Sequence, residues 1–262
     1  MNTLSLRIGW LYPDLMSTYG DRGNIISLQK RCEWRSIEVE VVQISVSNSS
    51  KLISSCDLLV MGGAQDTQQE IVQKDLLSGK AQEIKNSVEK GIPSLFICGA
   101  YQFMGAYYKT SDGTILNGLS IFDIYTEHPG ENVFRLIGNV AVSIALANST
   151  DQLIVGFENH GGRTYLGKTA IPFGKVIKGY GNNGTDKTEG VRYKNSVGTY
   201  LHGPILPKNP ELSDEFILNA LKVKYKREIK LVKLNNSVEM EAKKIVLYQK
   251  LGIKSEGVKT LT

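Results

Sequence analysis

Two short segments carry residue types that do chemistry together. Ser94-Leu95-Phe96-Ile97-Cys98 is an apolar run ending on a cysteine, and Gly99-Ala100-Tyr101-Gln102 brings small residues at once. A strand that stops on a nucleophile and turns sharply into a helix lifts the side chain out of the sheet and aims the first helical N–H groups at developing negative charge. Further along, Gly198-Thr199-Tyr200-Leu201-His202-Gly203-Pro204 is an alternating segment that ends on a histidine, with Gly and Pro breaking the strand behind it. Cys98 and His202, at two strand ends, are therefore candidates for nucleophile and base.

Attack of a thiolate on a carbonyl carbon creates an oxyanion that needs two N–H donors. The candidates are the amide of Gly99 or its neighbour and an amide of the Gly62-Gly63-Ala64 turn, and His202 would carry the proton to the leaving amine. Plainer readings stand beside these. A free cysteine often ends a core strand as a small hydrophobe, and glycines after a strand often serve only a tight turn. His160, in Phe157-Glu158-Asn159-His160, is a competing base, and His128, beside Pro129-Gly130, is the weakest of the three histidines.

The elements that must position these residues follow an alternating rhythm. Leu6–Leu11, Val39–Ile44, Asp57–Met61 and Ser94–Cys98 read as strands, and Ile25–Arg35 as a helix. A second helix is expected from Asp66 to Lys90, capped near Asp66-Thr67 and stopped by Gly91 with Pro93 behind it. This is the pattern of an α/β doubly wound, mostly parallel sheet, which binds ligands at the carboxyl ends of its strands, where Gly62-Gly63 and Cys98 fall. From about Ser120 the rhythm changes to short strands at Ile121–Tyr125, Asn132–Ile144, Leu153–Phe157, Val176–Tyr180 and Ser196–Leu201, read as an antiparallel extension of the same domain. Helices over Leu212–Tyr225 and Asn236–Leu251 close the chain, the latter with Asn236 and Glu239 at capping-box spacing and Glu239 four residues before Lys243.

Composition excludes several classes. With 262 residues and 41% hydrophobic content the chain can bury a sizeable core. It shows no leader-like apolar segment and no run long enough to span a bilayer, so a cytoplasmic protein is expected. Cys32, Cys56 and Cys98 are an odd, widely spaced set, which suits a reducing compartment and argues against disulfides or a thiolate metal site. Cys32 and Cys56 read as structural. The net charge of +5 sits at the end: residues 222–262 hold eleven Lys and Arg against four Glu. That reads as a solvated helical face, with an acidic partner or an anionic membrane surface as the alternative. No nucleic-acid signature and no P-loop occur, Gly20-Asp21-Arg22-Gly23-Asn24 lacking the required lysine, so ATP is not expected on this chain.

The elbow Cys98-Gly99-Ala100-Tyr101-Gln102 and the later Gly198–Pro204 segment resemble the class I glutamine amidotransferase domain of the cobyric acid synthase type. Within it the chain is most similar to the glutaminase subunits of bacterial lipid II isoglutaminyl synthases. The likeness extends through Asp14–Asn24, Gly156–Thr164 and Gly179–Asn183, and reaches about Ala220. It implies a flavodoxin-like amidotransferase domain over residues 1–221 and a basic helical tail over 222–262, packed on it or extending from it. It also implies hydrolysis of L-glutamine, with ammonia passed to a Mur ligase-like partner, MurT, in a heterodimer. That partner would bind ATP and Mg, none being needed by this chain, and would amidate D-glutamate of lipid II to D-isoglutamine. Carried over by motif, Cys98 is the nucleophile, His202 the general base, and Arg135 pairs with glutamine's carboxylate, while Gly63, Gly99 and Gln102 complete the substrate site. The plainer alternative for Arg135 is an exposed strand arginine.

Two departures from the resemblance matter. Ala100 stands where many such enzymes have glycine, a change of one methyl. Pro204 stands where many have a glutamate two places after the histidine, so no carboxylate reaches His202 from its own loop. The expectation is that the partner supplies one and that the free chain is a poor glutaminase. Rival readings are an amidotransferase subunit for another carboxylate, a stand-alone cysteine hydrolase, and a non-catalytic binding subunit.

Overall fold

The computed structural model describes residues 3–64, 66–130, 132–146 and 152–253. Its central sheet is built from β1 (Ser5–Leu11), β2 (Glu38–Ile44), β3 (Leu58–Met61) and β4 (Ser94–Ile97), all parallel, with α1 (Arg22–Glu33) and the short α2 (Lys51–Ser54) in the crossovers. β3 and β4 are buried along their whole length, because helices cover both faces.

The expected long helix after β3 is interrupted. α3 (Asp66–Asp75) leads into a π-helical turn over Leu76–Lys80, with Gly79 at φ 157°, before α4 (Ala81–Glu89). The turn swings Lys80 inward, where its ammonium bonds Asp75 at 2.5 Å and the carbonyls of Ser45 and Val46. A buried lysine must be paired, and a straight helix would leave this one without those partners. The cap expected at Asp66-Thr67 lies outside the described side chains.

After the short α5 (Gly99–Phe103) come β5 (Tyr107–Lys109), β6 (Ile115–Asn117), β7 (Ile124–Glu127), β8 (Leu136–Ile144), β9 (Gln152–His160), β10 (Arg163–Leu166), β11 (Gly174–Lys178), β12 (Thr188–Glu189), β13 (Val191–Tyr193) and β14 (Ser196–Thr199). Two four-stranded sheets, ordered β10-β7-β5-β6 and β12-β11-β8-β9, form the extension, antiparallel apart from the parallel β5–β7 pair. The last strand corrects the sequence reading. β14 leaves the extension, joins the central sheet and runs parallel to β4, with Thr199 opposite Ile97, giving the order β13-β14-β4-β3-β1-β2. Pairing between segments so far apart in the chain leaves no local signal, but it brings the chain after β14 and the chain after β4 out at the same sheet edge.

α6 (Pro210–Tyr225) runs across position 221 and α7 (Ser237–Lys244) continues as a π-helical turn to Lys250. The expected capping box at α7 does not form. Asn236 Oδ1 accepts from Arg31 Nη2 at 3.0 Å, Glu239 faces Arg31 Nη1 at 3.5 Å, and Lys243 turns to Glu211. Arg31 is 2% exposed and also makes a two-pronged pair with Asp214 at 2.8 Å, so a buried guanidinium outcompetes the local cap. Among the described residues no helix is long and apolar enough to cross a membrane, and no His, Cys, Asp and Glu cluster is placed to hold a metal ion.

Candidate active site

Cys98 is the hinge between β4 and α5 and lies at φ 53°, ψ −107°, a conformation that non-glycine residues rarely adopt. Such strain costs about 1–3 kcal/mol and persists only where the surroundings fix it. Here the Cys98 N–H donates to Thr199 O at 2.8 Å, which ties the elbow to β14, and Cys98 O accepts from Gln102 N at 3.0 Å, which starts the helix. Cys98 lines a cavity of 410 Å³ together with Thr18, Tyr19, Gln69, Gln102, Arg135 and Asn159, among others.

Three residues past β14, His202 is pinned by reciprocal backbone bonds with Phe157 of 2.8 and 3.0 Å. Its ring is fully buried and meets the elbow at Gly63. A Cβ placed on Gly63 would stand 2.8 Å from His202 Cε1 and 3.2 Å from Cys98 Cβ, so only glycine lets the two side chains flank this point.

The carboxylate that the sequence reading assigned to a partner is present in this chain. Asp21 Oδ1 lies 3.1 Å from His202 Nδ1, and its Oδ2 accepts the Gly63 N–H at 2.9 Å. Asp21 sits between a 3-10 turn (Thr18–Gly20) and α1, 2% exposed. Pro204, which stands where many such enzymes have a glutamate, packs on the first turn of α1, directly after Asp21: a Cβ on Gly23 would come within 2.3 Å of its Cγ. Asn24 Oδ1 accepts the Leu206 N–H at 2.9 Å and fixes the start of α1 to the chain that follows His202. Burial opposes a charge on His202, but the Asp21 carboxylate and the Cys98 sulfur outweigh it and raise its pKa to about 10. The imidazole is thus held protonated at neutral pH, a cation set beside the Cys98 sulfur.

The remaining candidates divide. Gly63 spends its N–H on Asp21, so its expected role as a ligand donor is replaced by one of space. Gly99 lies at the first turn of α5, and a Cβ there would sit 3.3 Å from Ala64 N and 2.9 Å from Gln69 Nε2. The backbone of Gly99 thus runs close beside Ala64 at the elbow, and only a residue without a side chain fits between them. Gln102 lines the cavity with Nε2 donating to Tyr200 Oη at 3.1 Å. Arg135 also reaches the cavity and is held by Asn159, its Nε donating to Oδ1 at 2.9 Å and its Nη2 to the backbone oxygen at 3.0 Å.

His160, the competing base, lines the same cavity but is 1% exposed and stacks on Tyr200 at 3.6 Å. Its Nδ1 faces Gly162 O at 2.8 Å, and burial lowers its pKa, so it is a neutral ring locked into the wall. His128 Nδ1 accepts the Gly130 N–H in its turn. Cys32 and Cys56 are buried, and burial raises their thiol pKa values to about 12 and about 11. Asp21 is the residue that the sequence reading missed. Its one signal was an acid in the first loop after β1, at the carboxyl edge of a parallel sheet.

Comparison with known proteins places the chain in a family. Residues 7–210 match the model of the CobB/CobQ-like glutamine amidotransferase domain. The chain is 42% identical over 89% of its length to the lipid II isoglutaminyl synthase (glutamine-hydrolyzing) subunit GatD of Staphylococcus aureus (strain N315), covering 91% of that protein. It is 38% identical to the subunit of the same name from Streptococcus pneumoniae (strain ATCC BAA-255 / R6), over 86% of this chain and 84% of that one. Among solved structures, the glutaminase domain of Trypanosoma brucei CTPS matches in fold with a TM-score of 0.53 at 11% identity, covering 87% of this chain and 96% of that one. The chain belongs to the CobB/CobQ-like glutamine amidotransferase family.

Proposed function

We propose that this chain is the glutaminase subunit of a two-subunit amidotransferase, and that its ammonia amidates D-glutamate of lipid II to give D-isoglutamine. The observation that carries the chemistry is the Asp21–His202 pair beside Cys98 at the cavity wall. Arg135 takes the α-carboxylate of L-glutamine and sets its carboxamide before the sulfur. The Cys98 thiolate attacks the carboxamide carbon, and the oxyanion is received by the Gly99 and Ala64 amides. His202 gives its proton to the leaving nitrogen, the C–N bond breaks, and ammonia departs from a thioester. His202 then takes a proton from water, hydroxide displaces the sulfur, and glutamate leaves with the thiolate restored. Asp21 holds the ring in one orientation through both steps.

The acceptor reading is supported by the two relatives named as subunits of lipid II isoglutaminyl synthase. The partner is a Mur ligase-like synthetase, MurT, which binds ATP and Mg and activates the acceptor carboxylate. The reaction is placed in the cytoplasm, whose reducing environment suits three free cysteines.

Because Asp21 belongs to this chain, the isolated protein is expected to hydrolyse glutamine, which reverses the sequence-based expectation of a poor free enzyme. The test is glutamate release by the chain alone, then with its co-purified synthetase, ATP, Mg and lipid II. One glutamate per amidated stem supports the reading. Amidation of a different carboxylate with lipid II untouched removes the acceptor, and no hydrolysis with the partner present removes the glutaminase.

A further inference from the structure

Asn159, on β9, stands between two parts of the site that are far apart in the chain. Its Oδ1 accepts from Arg135 Nε at 2.9 Å, its backbone oxygen accepts from Arg135 Nη2 at 3.0 Å, and its Nδ2 donates to Tyr19 Oη at 3.0 Å. The guanidinium is donor-only, so the orientation of the Asn159 amide is forced: oxygen toward Arg135, nitrogen toward Tyr19. Tyr19 lies edge-on to His202, ring centroids 5.0 Å apart at 70°, at a left-handed φ of 54° and half exposed. All three side chains line the cavity. Tyr19 is two residues from Asp21, so this bridge joins the arginine on one wall to the loop that orients His202 on the other.

We infer that Asn159 is a positioning residue for the glutaminase reaction, fixing Arg135 to receive the substrate's α-carboxylate and, through Tyr19, tying that recognition to the cover over His202. The inference rests on the reading of Arg135 as the carboxylate ligand. A neutral amide suits this place because it aligns the guanidinium and leaves its charge uncompensated for the substrate. A carboxylate would accept from Arg135 in the same way and, with the Tyr19 hydroxyl turned round to donate, keep that contact too, but it would compete with glutamine for the charge.

The test compares Asn159→Leu, Asn159→Asp and Tyr19→Phe in the full chain. Steady-state hydrolysis is measured with L-glutamine and with 4-aminobutanamide, which lacks the carboxylate, and Cys98 alkylation by iodoacetamide is followed separately. KM for glutamine is expected to rise about tenfold in Asn159→Leu, further in Asn159→Asp, and about threefold in Tyr19→Phe. The change in kcat should be smaller than that in KM, with alkylation unchanged and kcat/KM for 4-aminobutanamide equal to that of the parent. The Asp variant keeps both contacts, with the Tyr19 hydroxyl now donating, so a KM rise there separates charge from support, and it carries the test if the Leu variant fails to fold. Unchanged glutamine KM in the Asp variant, or equal losses on both amides, overturns the inference. Arg135→Ala is the control for its premise: if that variant keeps the parent's KM for glutamine, the carboxylate reading fails whatever Asn159 does.

Discussion

Asp21 divides its two oxygens between His202 Nδ1 and the Gly63 amide, so one carboxylate sets both the charge of the imidazole and the shape of the turn that faces it. Replacing it with Asn keeps the size and removes the charge. Hydrolysis should fall on the order of 10⁴-fold, as when a triad acid is neutralised. The stability signature is independent of turnover. With its pKa raised to about 10, His202 keeps a proton in the folded state that the unfolded chain has released above the ordinary 6.5. Its contribution is complete below pH 6.5 and is lost as pH rises through about 10. In Asp21→Asn the fall in thermal midpoint across that window should flatten, as unfolding at a series of pH values would show. A slope equal to the parent's would mean that Asp21 does not hold the charge.

At the scale of elements, β12 fastens the end of β14 through a buried acid. Glu189 Oε1 accepts from Thr199 Oγ1 at 2.6 Å and Tyr200 N at 2.8 Å, while Thr199 O receives the Cys98 amide. Burial pushes Glu189 up to about 7 against the opposing hydrogen bonds from Thr199 and Tyr200. The folded state therefore binds a proton that the unfolded state lacks between 4.5 and 7, and that contribution disappears as pH rises through about 7. Glu189→Gln keeps the accepting oxygen and cannot ionise. Relative to the parent, its midpoint should improve between pH 5 and pH 8, and an unchanged difference would contradict the account. The sequence made β3 and β4 legible as short apolar runs, because both are buried throughout, and it showed β2 by its alternating apolar and polar residues; it also marked Cys98 and His202 as strand ends. It could not place β14 beside β4, since that register is settled by packing between distant segments. Nor could it break the helix at Leu76–Lys80, where the cause is the distant carbonyls of Ser45 and Val46. Asp21 stayed hidden because it sits on a turn with no periodicity, one acid among 26 Asp and Glu.

For the molecule as a whole, the C-terminal elements are part of the body. Arg31 on α1 ties α6 and α7 through Asp214, Asn236 and Glu239, Ile229 joins the main core, and Leu247 packs with Ala141, Leu153 and Val155 of the extension. The same body decides which of its three cysteines reacts. Cys32 and Cys56 lie in the core with thiols raised to about 12 and about 11, whereas Cys98 stands at the cavity beside a protonated imidazole. The most direct measurement is therefore mass spectrometry of the chain after exposure to 6-diazo-5-oxo-L-norleucine, a glutamine-shaped electrophile. A single adduct on Cys98, blocked by excess glutamine and absent in Cys98→Ala, is the predicted result. An unmodified Cys98, or label distributed over Cys32 and Cys56, would contradict it.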